Sequence, residues 1–442
     1  MTETVTFAPS GPLRGTVRVP ADKSITQRAL LIGAVSDGVV EVRDPLWAGD
    51  TEATAAMLAQ LGVRVEREAG GRPARVHGVG LHGLRPPAGT LDARNSGTAM
   101  RLLAGLLAGQ RGTFVIDGDA SLRRRPMARV AEPLAAMGVA VRTAGDGHPP
   151  LTIVGGEVRP VTYELPQASA QVKSCVLLAG LFARGDTCVI EPLPSRDHTE
   201  RMLAAAGVDV RVEPPTGAAG GRRVVVHGPA QPRLRAVAVP GDPSSAAFLA
   251  AAASVVPGSE LVVEGLGLNE TRLGFFEVLR RMGAPVEWRV ERESGGEPAG
   301  RLTASAAGRL AAVHVSAREV PHLVDELPLV ALVAAFAAGE TVVEGAAELR
   351  VKESDRLVAT VELLAELGVD IRATDDGFVV RGRAGLLGGS VESRGDHRLA
   401  LLGAVAGLAA TGPVTVAGFD AAEVSFPGFR DLVEEVSPQP WP

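Results

Sequence analysis

Along this chain, apolar residues recur at three- and four-residue spacing in runs rich in Ala and Leu that end near glycine. That spacing predicts helices. Between them stand short β-branched runs such as SELVVEG and ETVVEG, which predict strands. The two patterns alternate in a fixed order. A short polar turn rich in Ser, Asn, Asp and Lys opens it, and an Ala/Leu-rich helix follows. Glycine and a β-branched strand come next, ending in an acidic or glycine turn. A second helix closes with a pattern such as L-G-V and runs into another strand.

This order occurs six times, at roughly 70–80 residue spacing. The first copy reads ADKSITQRALLIGAV, GVVEVRDP, TEATAAMLAQLGVRVE. The second reads ARNSGTAMRLLAGLLAG, GTFVIDGDASL, MARVAEPLAAMGVAVR, and the third QASAQVKSCVLLAGLFARG, DTCVIEPLPSRD, HTERMLAAAGVDVRVE. The fourth opens with GDPSSAAFLAAAASVVPG, the fifth with VDELPLVALVAAFAAG and the sixth with GDHRLALLGAVAGLAATG. Each copy predicts a β–α–β–α–β type module, which makes the chain an α/β protein. A stack of such repeats without an active site, as in a solenoid scaffold, is one reading. The turns before the first helices argue against it, because they differ from copy to copy. They carry Lys23, Ser24 and Arg28; Asn95, Ser96, Gly97 and Arg101; Ser169, Gln171 and Lys173; Asp242, Ser244 and Ser245; Asp325 and Glu326; and Asp396, His397 and Arg398.

Val19-Pro20 and Val239-Pro240 are matched steps, each after a strand-like run (RGTVRV and LRAVAV). Proline turns the preceding residue away from helix and punctuates an element. Two globular halves are expected, one of residues 20–239 and one of 1–19 plus 240–442. Pro214–Arg223 and Glu293–Gly300 are expected as surface loops.

Composition narrows the field. A chain of 442 residues has ample length for several domains and a large core. Apolar residues make up 46% and aromatics only 3%, so Ala, Val and Leu must build that core. A net charge of −6 argues against a nucleic-acid partner. Local cations can still dominate one cleft and draw an anionic small molecule to it. Cys175 and Cys188 are too few for a disulfide framework or a cysteine-built zinc site, and they fit a reducing cytoplasm. The N-terminal stretch lacks an apolar signal region. LVALVAAFAAG is too short to span a membrane. Neither a metal nor another cofactor is called for.

Arginine fills almost every cationic position, so the lysines Lys23, Lys173 and Lys352 stand out. PADKSITQRAL lies between the strand-like run GTVRV and the helix-like run ALLIGAV. Lys23, Ser24 and Arg28 therefore fall in the first turns of a helix, where unpaired backbone N–H groups and the helix dipole favour anions. This is an anion grip, or a capped surface helix with solvated cations. Two readings also stand for KESDR (Lys352–Arg356), which is a site wall or a helix start with local ion pairs. Asp325 and Glu326 are proton carriers or a helix-start charge pair. RRR (Arg123–Arg125) reads as a solvated basic turn or a grip. Lys173 suits packing or an ion pair, with the rim of a site second, and Cys175 reads as a small core residue.

At this point the motifs resemble the 3-phosphoshikimate 1-carboxyvinyltransferase (EPSP synthase) family. NSGTAMRLLAG, GDASLRRRPM, ASAQVKSCVLLAGL, SRDHTERM, the long run from Asp325 to Leu357, and DHR at Asp396–Arg398 carry the resemblance, in order, over essentially the whole chain. It implies a two-domain inside-out α/β barrel of six βαβαββ-type repeats, three per domain, with the active site in the cleft between. It implies transfer of the enolpyruvyl group of phosphoenolpyruvate to shikimate 3-phosphate, in a cytoplasmic monomer without nucleic-acid or membrane partners. Lys23 would contact both substrates. Ser24, Arg28, Ser169, Ala170, Gln171, Ser195, Arg196, Asp325 and Lys352 would hold shikimate 3-phosphate. Asn95, Gly97, Arg125, Gln171, Arg356, His397 and Arg398 would hold phosphoenolpyruvate. Asp325, Glu353 and Lys23 would be the catalytic groups. The halves would close on binding, and the phosphoenolpyruvate pocket would admit glyphosate beside Gly97.

The chain departs from the family's commonest pattern at Ala21, Gln27, Leu102 and Ala170. Val424 stands where some members carry lysine, so no role is assigned there. The sister family, UDP-N-acetylglucosamine 1-carboxyvinyltransferase, carries a cysteine in the loop equivalent to Gly118–Arg125. This chain has none there.

Overall fold

A computed structural model describes residues 3–68, 73–213, 221–382 and 385–437. The chain divides into two compact units. One comprises Ala21–Pro240 with Glu293–Glu297, and the other Met1–Pro20, Gly241–Arg292 and Pro298–Pro442.

Among the described residues, the first unit holds six α-helices: α1 (Lys23–Ala34), α2 (Gly49–Gln60), α3 (Gly97–Ala108), α4 (Ala128–Ala136), α5 (Ala170–Gly180) and α6 (His198–Ala205). It also holds three four-stranded sheets. One runs in the order Leu91–Asp92, Gly112–Asp117, His148–Gly155, Ala140–Ala144. Its first two strands are parallel and the remaining pairs antiparallel. The sheet of Thr162–Glu164, Gly185–Glu191, Arg222–Gly228 and Val210–Glu213 repeats this order. The third sheet repeats it with one substitution. Its opening strand is Ala236–Ala238, paired in parallel with Asp37–Arg43 from the start of the unit.

The strand–turn–helix around PADKSITQRAL is present. Arg14–Val17 forms the strand and belongs to the other unit, where it pairs in parallel with Glu260–Gly267. Asp22, which caps α1, donates its backbone N–H to the Pro240 carbonyl at 2.8 Å. The entrance to α1 is thus built from the two ends of its own unit.

The second unit holds α7 (Pro243–Val255), α8 (Gly274–Arg281), α9 (Leu327–Ala334), α10 (Arg356–Glu366), α11 (His397–Ala409) and α12 (Phe429–Val436). Among the described residues its sheets keep the same parallel and antiparallel pairing with four, five and three strands, and Thr4–Phe7 closes the three-stranded one against Val414–Ala417.

The first helix of each module is the more deeply buried one. Every residue of α3 except Thr98 is buried, and α11 is buried throughout its first turns. A helix apolar on all faces belongs inside a core. Close backbone approach makes this packing work. A Cβ on Gly105 of α3 would stand 2.3 Å from the Cys175 carbonyl oxygen of α5, so no larger residue fits. Cys175 is a core residue, and burial pushes its thiol up to about 12.

Two loop expectations change. Glu293–Gly300 is part of a hairpin, with strands Val286–Ser294 and Glu297–Ser305 around Gly295 and Gly296, both at positive φ. Of Pro214–Arg223, residues 214–220 lie outside the described residues, while Arg222 and Arg223 begin a strand. In both places the Gly/Arg-rich composition hid a strand end.

Candidate active site

The chemistry foreseen at the helix entrances forms two sets of side chains, one in each unit. In the first unit, Asp22 caps α1 by accepting from the Ile25 N–H at 2.8 Å. This is the ordinary geometry of an acidic N-cap. Lys23 follows, with Nζ 2.9 Å from Asp50 Oδ2 in the first turn of α2. Ser24 is partly exposed, and its carbonyl accepts from Arg28 Nη1 at 3.0 Å. Arg28 is buried at 3% exposure. Its Nε donates to the Thr199 hydroxyl at 2.8 Å and its Nη2 to the Ser174 hydroxyl at 3.1 Å. Burial pulls its pKa down to about 10, against the pull of Glu200, Asp22 and Glu297.

Beside it, Ser96 caps α3 and accepts from Gln27 Nε2 at 2.7 Å. Arg125 is buried and donates to Asn95 Oδ1. Asn95 in turn donates to Asp119 at 2.8 Å. Arg101, one turn after Gly97, donates to Gln171 Oε1 and, at 3.2 Å, to the Pro126 carbonyl. Gln171 donates to Thr98 Oγ1 at 2.8 Å. RRR therefore divides: Arg123 is exposed and paired with Asp117, Arg124 is exposed, and Arg125 turns inward.

At α5, Ser169 is the N-cap and Ala170 the first helical residue. Lys173 is fully buried between Glu191 at 3.0 Å and Glu200 at 2.7 Å. Burial opposes its charge, but the two carboxylates outweigh that and hold its pKa above the ordinary lysine value. Burial raises the pKa of Glu200, opposed by Lys173. The ion-pair reading of Lys173 is the right one. Ser195 is buried too, and its hydroxyl donates to Glu191 at 2.6 Å. Arg196 next to it is half-buried.

In the second unit, Arg356 is the hub. It is 1% exposed and opens α10, which Asp355 caps. Its Nε donates to Asp396 Oδ2 at 2.8 Å and its Nη1 to Asp325 Oδ1 at 3.2 Å, while Nη2 donates to Glu353 and, at 3.2 Å, to Asp396 Oδ1. Burial opposes its charge, and Asp396, Glu353 and Asp325 more than compensate, raising its pKa. Asp325 lies at 3.6 Å from Lys352 Nζ and 3.8 Å from Arg398 Nη2. It sits on a short 3-10 turn, Val324–Glu326, that leads into α9. Asp396 caps α11, and its Oδ1 is 3.9 Å from His397 Nδ1. Arg398 Nη1 donates to Glu326 at 3.3 Å, and Glu326 also accepts from the Ser244 hydroxyl. Arg272 binds both Asp242 and Ser244 at 2.8 Å.

The structure thus gathers Lys23, Ser24, Arg28, Asn95, Gly97, Arg125, Ser169, Ala170, Gln171, Ser195 and Arg196 in one unit. Asp325, Lys352, Glu353, Arg356, His397 and Arg398 stand in the other. Sequence reasoning gave no role to Asp50, Arg101, Asp396 or Arg272. Arg101 and Asp396 were visible as charged residues at helix starts, but their pairings arise only on folding.

Cations at helix N-termini, with carboxylates accepting from them, are groups that can take anions and move protons. Residues 7–433 match the family model described as EPSP synthase (3-phosphoshikimate 1-carboxyvinyltransferase). The chain is 48% identical to the 3-phosphoshikimate 1-carboxyvinyltransferase of Methylococcus capsulatus, over 97% of this chain and 96% of that one. It is 49% identical to that of a Synechococcus strain, over 95% of each. A solved EPSP synthase from Acinetobacter baumannii aligns with a TM-score of 0.86 at 40% identity, covering 99% of this chain and 98% of that chain. The enolpyruvyl transferase NikO from Streptomyces tendae shares the fold, with a TM-score of 0.76 at 20% identity, covering 99% and 97%. The chain belongs to the EPSP synthase family.

Proposed function

We infer that this protein transfers the enolpyruvyl group of phosphoenolpyruvate to the 5-hydroxyl of shikimate 3-phosphate and releases phosphate. This step serves the shikimate pathway to aromatic amino acids. The observation that carries the reading is the Arg356 hub. A buried guanidinium aligns Asp325, Glu353 and Asp396, with Lys352 and Arg398 alongside. Such a cluster both neutralises anions and supplies proton carriers.

The reaction needs a base at the 5-hydroxyl, an acid at the vinyl carbon and stabilisation of the tetrahedral centre formed between them. Asp325 takes the hydroxyl proton as the new C–O bond forms. Glu353 and Lys23 are the further proton carriers, serving the vinyl carbon and the departing phosphate. Lys23, Ser24, Arg28, Ser169, Ala170, Gln171, Ser195, Arg196, Asp325 and Lys352 hold shikimate 3-phosphate. Lys23, Asn95, Gly97, Arg125, Gln171, His397 and Arg398 hold phosphoenolpyruvate. Arg356 joins them through the one N–H donor left over from its four hydrogen bonds. Arg398, with looser contacts at 3.3 and 3.8 Å, is the more available of the two.

We also read each unit as an inside-out α/β barrel and the protein as a cytoplasmic monomer. The deep burial of each module's first helix supports the barrel reading. For the location, no helix among the described residues is long and apolar enough to cross a membrane. The test is phosphate release from shikimate 3-phosphate and phosphoenolpyruvate. Activity only with UDP-N-acetylglucosamine as acceptor would overturn the reading, and turnover with neither acceptor would favour a scaffold.

A further inference from the structure

Arg28 owes its orientation to the Ser24 carbonyl and to two hydroxyls, those of Thr199 and Ser174, which share a 2.6 Å hydrogen bond. Thr199 lies in the first turn of α6. What fixes that turn comes from far along the chain. His198, its neighbour, is 1% exposed, and its Nδ1 is 2.7 Å from Glu297 Oε1. A carboxylate only accepts, so Nδ1 carries the proton. Glu297 is itself 2% exposed. It ends the segment Glu293–Glu297, which belongs to the first unit although the strands on either side of it belong to the second.

Two more hydrogen bonds hold this segment. Arg201 Nη1 of α6 donates to the Gly296 carbonyl at 3.2 Å, and the Ala238 N–H donates to the Ser294 hydroxyl at 2.8 Å. Gly296 has φ +81°, and a Cβ there would stand 2.8 Å from the Arg201 carbonyl oxygen. The backbone of the turn therefore lies directly on α6, an approach that only glycine permits. Glu297 is also one of the three carboxylates whose charge supports the buried Arg28.

We propose that Glu297 and His198 are positioning residues for acceptor binding: the Glu293–Glu297 turn clamps the start of α6 through His198, and Thr199 passes that constraint to the Arg28 guanidinium. The proposal rests on the reading of Arg28 as a shikimate 3-phosphate ligand. It departs from a purely structural role in one respect. A structural clamp would lower stability and the active fraction together. A positioning clamp would act selectively on the substrate that Arg28 holds.

The experiment uses the full chain and reads shikimate 3-phosphate affinity by calorimetry beside steady-state kinetics. Glu297→Ala is expected to weaken shikimate 3-phosphate binding about tenfold, while kcat and the KM for phosphoenolpyruvate at saturating acceptor move by less than about twofold. Glu297→Gln keeps an acceptor for Nδ1–H and is expected to recover most of the lost affinity. Should Glu297→Ala fail to fold, His198→Asn and His198→Phe replace it. The asparagine amide can donate from near the Nδ1 position and should bind close to wild type, whereas phenylalanine cannot donate and should show the selective loss. Wild-type affinity in Glu297→Ala, or equal losses for both substrates, overturns the clamp alone. A wild-type protein that binds no shikimate 3-phosphate overturns the functional reading, and the clamp's role in acceptor binding with it.

Discussion

The two sets hold cations of one kind in opposite ways. In the first unit, Arg28, Arg101 and Arg125 donate to hydroxyls, side-chain amides and a carbonyl. In the second, Arg356 donates to three carboxylates. A guanidinium fixed by neutral acceptors keeps its charge directed at whatever anion arrives. One enclosed by carboxylates is balanced already, and its contribution is to align them. On the proposed roles both sets grip substrate, and the second adds the clustered carboxylates that carry protons. The difference extends to the direction in which each environment shifts the guanidinium pKa. Burial dominates at Arg28 and lowers its pKa to about 10, whereas at Arg356 the carboxylates prevail and raise it.

The sharpest way to break this division is Asp325→Asn. The amide keeps the shape and still accepts from Arg356 but cannot take a proton. We expect kcat to fall about 10²–10⁴-fold, the usual worth of a positioned acid or base, with shikimate 3-phosphate binding retained. A kcat near wild type would remove Asp325 as the base and leave Glu353 as the proton carrier of the second set.

Stability offers the next contrast. Arg356→Met leaves Asp325, Glu353 and Asp396 clustered without their cation and should cost about 3–5 kcal/mol in urea denaturation. Arg28→Met leaves two hydroxyls that bond each other, and should cost about 1–3 kcal/mol, the price of lost hydrogen-bond partners. Equal losses, or a larger one at Arg28, would erase the distinction.

Titration separates the sets again. Below pH 10 the Arg28 guanidinium is charged in the folded and the unfolded chain alike. Between about 10 and the ordinary 12.5, the unfolded chain keeps a proton that the folded chain has released. Arg28's contribution to stability therefore rises with pH across that window. The cation available to an anion disappears over the same range, so shikimate 3-phosphate affinity should begin to fall as pH approaches 10. The raised pKa of Arg356 predicts the reverse, a charge retained throughout. Calorimetry between pH 8 and 10.5 checks this, and flat affinity to the upper limit would show that Arg28 keeps its proton across that range.

How far the sequence reaches can be seen in the same residues. The helix entrances were legible because polar turns, apolar helices and L-G-V endings are local signals. Lys173 was legible as an ion-paired residue because a lysine within an apolar helix needs a counter-charge. The strand that opens the first module was legible as the run LRAVAV, but its place at the head of that module was not. Ala236–Ala238 is three residues long and pairs with a partner about 200 residues earlier, and no local pattern encodes that pairing. The nearer run, GTVRV, was the stronger strand signal and belongs to another sheet. The hairpin at Glu293–Gly300 was missed because its paired glycines read as loop, although positive φ at both makes them a tight turn. Arg101 was in view one turn after Gly97, yet its bond to Gln171 joins two modules and exists only once they pack.

The smallest expected effect tests the grip at its finest point. A methyl on Gly97 would stand 3.3 Å from Arg125 Nη1, 3.6 Å from Arg101 Nη1 and 3.7 Å from Leu122 Cδ1. All three are side-chain ends, so a shift of a few tenths of an ångström relieves the contact. Gly97 opens α3 outside the left-handed region, so alanine suits its backbone and should change stability by no more than about 1 kcal/mol. The disturbance therefore falls on two guanidiniums of the first set. We expect Gly97→Ala to raise the KM for phosphoenolpyruvate about three- to tenfold and to weaken glyphosate inhibition at least as much. The affinity for shikimate 3-phosphate should stay near wild type, because Arg28 is held by α5 and α6 rather than α3. Unchanged inhibition would refute the steric account. A parallel loss of shikimate 3-phosphate affinity would show that the two halves of the grip are coupled more tightly than their separate hydrogen bonds suggest.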